Sequence, residues 1–260
     1  MTLEVLSLGG GVQSTALLAM VLAGEHERPD FVVFADTGSE RPQTIATVER
    51  AKLECEAMGI PFEIATPQRG PLHLAYMDKQ RLPIVQSRLC TTEFKRTPIH
   101  HAIKRHLGVE PSEVLPPGSV VQWIGISTDE RHRAKPSPLK WALSRFPLLD
   151  LDMSRDDCIE VLNRLEWAGV EKSGCFCCPF QSAKGWVDLR IREPELFEIS
   201  KAMESLSIAA GKSGFLHNGT LERFDFNRTL EDWGLIVDEP LNQLGRPIPR
   251  CENPDGGCFT

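Results

Sequence analysis

Leu3-Glu4-Val5-Leu6-Ser7-Leu8-Gly9-Gly10-Gly11-Val12-Gln13-Ser14-Thr15, close to the start of the chain, reads as a strand that breaks in three glycines and then enters a helix. The apolar, helix-favouring segment that follows runs from Ala16 to Ala23. A strand, a tight glycine turn and a helix start together build an anion site. Glycines let the backbone approach a phosphate, unpaired N–H groups and the positive end of the helix dipole face it, and a serine adds a hydroxyl. Ser7, Gly9, Gly10, Gly11, Gln13 and Ser14 are therefore candidate phosphate contacts. The spacing fits neither the Walker phosphate loop nor the dinucleotide fingerprint.

Outward from this stretch, strands and helices alternate. Asp30–Ala35 is a short, almost continuous apolar run, the pattern of a buried parallel strand, and it ends at Asp36-Thr37-Gly38. Ligands of open α/β sheets bind beyond the carboxyl ends of the strands, where both loops are predicted. A helix from Pro42 to Met58, stopped by Gly59, leads to a third strand at Pro61–Ala65. Residues 67–89 look like an insertion around a short helical piece at Leu72–Lys79, and a helix follows from Ile99 to Leu107. Ser119–Ile126 is the next strand, and it delivers Ser127-Thr128-Asp129-Glu130-Arg131-His132-Arg133 to the same edge. Arg131, Arg133 and Lys135 are suited to neutralising a polyphosphate or a similar anion. Phe146–Asp150 and a helix from Ser154 to Trp167 complete the core, with Ser154 and Asp157 spaced as a helix start. Ala183–Ala210 reads as one further helix, and His217 lies in a turn-rich segment where a lone histidine is usually structural.

Length and composition set the frame. At 260 residues and 41% hydrophobic, the chain can bury a substantial core in one or two domains. No apolar run is long enough to span a bilayer, and Glu4 with the glycines interrupts any leader-like stretch, so a cytoplasmic, non-membrane protein is expected. A net charge of −7 argues against a globally basic nucleic-acid binder, though not against a local basic patch. Eight cysteines in an intracellular chain point to metal or redox chemistry more than to disulfides. Cys175-Phe176-Cys177-Cys178-Pro179 gathers three of them, and Cys175 with Cys178 forms a Cys-x-x-Cys pair able to converge on one metal. Cys55 and Cys158 fall inside predicted helices and read as core residues.

These motifs, in this order, resemble the PP-loop superfamily of ATP pyrophosphatases and phosphoadenosine-phosphosulfate (PAPS) reductases. The usual loop there is Ser-Gly-Gly-Lys-Asp-Ser; this chain has Gly9 at the first serine, Val12 at the lysine and Gln13 at the aspartate. Asp36-Thr37-Gly38 matches the loop after the second strand, and Cys90, Lys95 and Pro98 fit the cysteine and Lys-x-x-Pro segment of PAPS and APS reductases. Gly125, Glu130 and Arg133 fit Gly-x-Arg-x-x-Glu-x-x-Arg, with Ser127 in place of the first arginine. The resemblance implies a Rossmann-like α/β fold, with a nucleotide-binding domain over residues 1–170 and a smaller Cys-rich region over 171–260. It also implies an adenine nucleotide, ATP with Mg or a phosphosulfate, held by the loop residues above together with Asp36, Thr37, Gly38, Lys95, Gly125, Glu130, Arg131 and Arg133.

From the cluster-bearing reductases the resemblance further implies Cys90, Cys175 and Cys178 as ligands of a 4Fe-4S cluster, although Leu89 replaces the first of their adjacent cysteines. Cys177, a tail cysteine or no protein group at all would be the fourth ligand, and zinc is the alternative metal. Cys177, Cys251 and Cys258 are the candidate catalytic thiols, although the reductases' Glu-Cys-Gly tail is absent. The first expectation is an ATP-cleaving enzyme that adenylylates a tRNA or DNA substrate for sulfur insertion, served by a partner such as a cysteine desulfurase. A PAPS or APS reductase working with a thioredoxin-like partner, and a non-catalytic nucleotide sensor, are the alternatives. A homodimer is compatible with each.

Overall fold

The computed structural model describes residues 2–84, 88–215 and 220–223. Five strands form one parallel sheet: β1 (Leu3–Leu8), β2 (Phe31–Ala35), β3 (Phe62–Ala65), β4 (Val120–Ile124) and β5 (Ala142–Arg145), in the order β3-β2-β1-β4-β5. In chain order the helices up to Arg164 are α1 (Val12–Leu22), α2 (Pro42–Ala57), α3 (Leu72–Asp78), α4 (Leu89–Thr91), α5 (Thr97–His106), α6 (Pro147–Asp150) and α7 (Arg155–Arg164). The fold is α/β, with the sheet flanked by helices.

Period-2 alternation in strands buried on both faces explains the layering. From β2, Val32 and Phe34 face one side, where Leu6, Leu8 and Trp123 pack with Ala16, Leu17, Val48, Cys55, Cys158 and Leu162 of α1, α2 and α7. Phe31 and Val33 face the other side with Val5, Ala65 and Val120, against Ala102 and Ile103 of α5. Both Cys55 and Cys158 are buried, as a core assignment requires. Pro42 opens α2 at its first turn, where a missing N–H costs nothing. A complete Ser154–Asp157 capping box starts α7.

The order places the topological switch between β1 and β4: the connection from β1 runs to β2 on one side, while β4 lies on the other. Loops leaving the carboxyl ends of two such strands diverge and leave a crevice, the usual ligand position in open α/β sheets. The loop after β1 is the glycine turn, and the loop after β4 is Gly125–Ser127 with a 3₁₀ turn at Thr128–Arg133.

Two features differ from the sequence reading. Ala142–Arg145 is an edge strand that pattern reading misses, because only Ala142 of its four residues is buried. The segment expected as one helix over 183–210 is two, α8 (Ala183–Arg192) and α9 (Pro194–Ala209). Pro194 cannot donate into a continuing helix and pushes Glu193 out of the helical region, to φ −131° and ψ 67°.

The chain divides into two compact units, Met1–Leu72 with Leu89–Cys175, and His73–Arg88 with Phe176–Thr260. The segment that holds most of α3 goes with the second unit. Within that second unit Trp186 is buried and stacks at a tilt on Phe215, 5.0 Å away. The buried Glu204 carboxylate accepts the backbone N–H groups of Phe215 (2.8 Å) and Leu221 (2.6 Å), anchoring the segment after α9.

Candidate nucleotide site

The glycine turn is built as an N-terminal cradle. Gly10 has φ +69°, and a Cβ there would stand 2.9 Å from Thr44 Cγ2, so only glycine fits. Gly11 is the N-cap of α1 in extended conformation and offers no side-chain cap, which leaves the first-turn N–H groups without side-chain competition. The Ser14 hydroxyl accepts the N–H of Gly9 (2.9 Å) and donates to the Gly11 carbonyl (3.3 Å). Ser14 therefore braces the turn from inside. Ser173 covers the turn from a later part of the chain, its Oγ 2.8 Å from the position of a Gly11 Cβ.

Across the switch point, Gly125 lies directly on the first turn of α1. A Cβ at Gly125 would be 2.8 Å from both Ser14 N and Ser14 Cα. Beyond it, the Gln13 amide donates to Ser127 Oγ over 3.5 Å, and Arg155 Nη1 donates to Gln13 Oε1 over 3.4 Å. The Arg155 N–H donates to Asp129 Oδ2 at 2.6 Å, and this bond holds the Asp129 carboxyl below the usual range. The basic loop is largely self-compensated: Arg133 pairs with Glu130 at 2.5 Å and Arg131 with Asp152 at 3.5 Å, all in exposed or half-exposed positions.

At the end of β2, Asp36 Oδ1 accepts the Gly38 N–H at 2.7 Å, so the aspartate forms the turn that presents the loop. Thr37 is fully buried; its hydroxyl donates to Glu40 Oε1 (3.1 Å), accepts the Ser39 N–H (3.2 Å) and lies 3.2 Å from Cys175 Sγ. Lys95 Nζ reaches the same Glu40 oxygen at 2.9 Å. The Glu40 side chain is wholly buried, and its second oxygen has no hydrogen-bond partner among the described residues. Glu40 and Cys175 are also joined as an isolated antiparallel bridge. Lys95 arrives there on a π turn, Thr92–Arg96, between α4 and α5. Pro98 explains that turn. Pro98 has no N–H to donate back to Phe94, and the Thr97 N–H bonds to the Thr92 carbonyl before α5 continues.

The β1 strand, its glycine turn, the β2 loop and the Lys95 segment coincide with a known family: residues 4–110 match the phosphoadenosine phosphosulfate reductase domain. Over these residues the chain is similar to that domain. Among solved structures the chain is similar to a phosphoadenylyl-sulfate (PAPS) reductase from Candida auris in complex with phosphate, at 15% identity over 63% of this chain and 73% of that one, with a TM-score of 0.44. No curated protein sequence matches the chain significantly.

Within and beyond the matched residues, the candidate residues separate into groups. Gly9, Gly10, Gly11, Gln13, Ser14 and Gly125 meet around the first turn of α1. Ser7 lies inside β1, and its hydroxyl accepts from Gln122 Nε2 at 2.5 Å, so its side chain serves the sheet. Thr37 and Lys95 are engaged with Glu40, a residue that sequence reading passed over because nothing local marks an acid that is buried by tertiary contacts. Glu130, Arg131 and Arg133 stand on the 3₁₀ turn. Cys251, Cys258 and His217 lie outside the described residues.

Of the cysteines expected as metal ligands, Cys90 and Cys175 belong to the first unit and Cys177 and Cys178 to the second. Among the described residues no three histidine, cysteine, aspartate or glutamate side chains gather in a group that could hold a metal. Cys175 instead places its thiol against Thr37 and Glu40, at 3.2 and 3.6 Å. Cys90 is half-buried on α4, while Cys177 is buried and Cys178 half-buried within the second unit. Among the described residues no helix is long and apolar enough to cross a membrane.

Proposed function

We propose that this chain is a PAPS-reductase-like enzyme that binds ATP through the glycine turn and acts at the α–β phosphate linkage, adenylylating an acceptor for sulfur transfer. The observation that carries the reading is the uncapped N-terminus of α1, cradled by Gly9–Gly11 and Gly125 at the switch between β1 and β4. In this reading the acceptor oxygen attacks the α-phosphorus, the bond to the bridging oxygen breaks, and pyrophosphate leaves with its charge held by the helix N-terminus and nearby cations. A sulfur nucleophile from a donor protein then displaces AMP from the activated acceptor. A tRNA base or a DNA backbone is the acceptor class that this chemistry suits.

A 4Fe-4S cluster carries no step here. If a cluster is bound, Cys90, Cys175 and Cys178 would hold it, and it would supply a redox or sulfur-transfer centre. About four irons and four sulfides per chain after anaerobic isolation, lost in Cys178→Ala, would establish it.

The competing reading, reduction of a phosphosulfate, is favoured by the similarity of residues 4–110 to the phosphoadenosine phosphosulfate reductase domain. Anaerobic titration with MgATP, PAPS and APS separates the two. Preference for MgATP, with pyrophosphate released when tRNA or DNA is added, supports adenylylation. Preference for a phosphosulfate, with sulfite formed on adding thioredoxin, overturns it in favour of a reductase. Nucleotide binding with neither product leaves a sensor and overturns both catalytic readings.

A further inference from the structure

Arg155, which no motif singles out, occupies the crevice between β1 and β4. It opens α7, and its guanidinium is tied to Gln13 Oε1 on the first turn of α1, while Gln13 in turn reaches Ser127 in the loop after β4. Both bonds are long, at 3.4 and 3.5 Å, so the guanidinium is steered more than fixed. The balance of charge around the candidate site separates this cation from the rest. Lys95 is compensated by Glu40, Arg133 by Glu130 and Arg131 by Asp152. Arg155 has a neutral amide as its side-chain hydrogen-bond partner, and among the described residues its guanidinium forms no ion pair within 4.0 Å; the exposed Asp129 accepts its backbone N–H and feels its charge from further away.

Resting on the reading that the glycine turn binds phosphate, we infer that Arg155 is the working cation of that site and that Gln13 is its positioning residue. The ligand class is a di- or triphosphate or an equivalent mixed anhydride, whose paired oxygens suit a planar fork of donors. A neutral residue at position 13 is what this role requires. An aspartate there would lie in ion-pair range of Arg155 and consume its charge, whereas the glutamine amide orients the guanidinium and leaves the charge for the ligand. Serine at position 127 leaves room that a larger side chain would fill, and its hydroxyl holds the other end of the Gln13 amide. Two substitutions that look like losses, of a loop acid and of a strand-end arginine, thus coincide with one arginine arriving from a different element.

The test is calorimetric titration of the full-length reduced chain with MgATP and, separately, with inorganic pyrophosphate. Arg155→Ala is expected to weaken both by about 10- to 100-fold, the loss of one charge-assisted contact to phosphate. Arg155→Lys should recover part of the affinity, because it restores the charge without the fork. Gln13→Asp should lose nearly as much as Arg155→Ala while keeping Arg155 in place, and a merely structural role for Arg155 would not produce this. Arg164→Ala, which removes an arginine paired with Glu25 far along the same helix, should bind like the parent. Melting temperatures of all variants exclude misfolding as the cause. Arg155→Ala binding pyrophosphate as tightly as the parent overturns the assignment and leaves the loop reading standing. A parent chain that binds neither probe overturns both.

Discussion

Replacing Gly125 by alanine adds one methyl group at the tightest backbone approach in the candidate site. The new Cβ would stand 2.8 Å from Ser14 N and Ser14 Cα and 3.1 Å from Ser14 Cβ, where ordinary contact begins near 3.4 Å. Two of those three atoms are backbone in the first turn of a buried helix, so no side chain can swing away. The end of β4 must retreat by about 0.6 Å, an overpacking that costs about 1–3 kcal/mol. For a chain of this size that corresponds to a fall in melting temperature of roughly 3–10 °C. The same retreat opens the crevice beside the glycine turn, and MgATP affinity should drop about tenfold or more. Gly174→Ala is the matched control: nothing lies within 4 Å of its Cβ, and it should melt and bind like the parent. Scanning calorimetry and calorimetric titration of both variants give the answer. Equal melting temperatures and equal affinities for the two variants would refute the claim that the loop after β4 is pressed onto α1.

Other outcomes follow from particular side chains. Glu40→Ala removes the acceptor of Thr37 and the partner of a Lys95 that is about one-third exposed, so chemical denaturation should show a loss of about 2–3 kcal/mol, with Glu40→Gln losing less. Burial, followed by Arg96, His101 and Lys104, pushes the His100 pKa from 6.5 down to about 4, so the fold favours the neutral ring. The resulting stability is present above pH 6.5 and is lost as the pH falls towards 4, at most about 3 kcal/mol, and an His100→Gln variant should lack this part of the pH profile. Burial raises the Cys55 thiol to about 12 and Cys158 to about 11. Iodoacetamide at pH 7.5, read by mass spectrometry, should label these two only after denaturant is added, and labelling in the native chain would contradict their core placement.

The fold was legible where burial writes itself into sequence. Phe31–Ala35 is apolar throughout because both of its faces are covered, and Gly10 marks a turn that no other residue allows. Pattern reading failed where local chemistry and tertiary context part. Ala142–Arg145 is an edge strand whose side chains mostly meet water, so it carries no apolar run. The break before Pro194 was visible as a residue type but was outweighed by the helical period on either side. The site was half legible for the same reason. Loop glycines announce themselves, whereas Glu40 and Arg155 look like any charged residue until the sheet order brings Cys175, Lys95 and Gln13 to them. Thr37 reads as a ligand contact from the loop it sits in, whereas the bond of its hydroxyl to Glu40 shows only in the structure.

The position of β1 at the middle of the sheet has a consequence for how the chain is made. This strand is complete at Leu8, yet one of its two neighbours, β4, begins only at Val120. At about 5–20 residues per second, one hydrogen-bonding edge of the nascent strand waits roughly 6–20 s for its mate, with Val5 and Leu6 in solvent meanwhile. During that interval the β1-α1-β2 segment is a half-sheet with an open apolar flank, the kind of surface that holding chaperones cover. Slow translation between Ala65, where β3 ends, and Val120 would lengthen that exposure, while synthesis past Arg145 closes it.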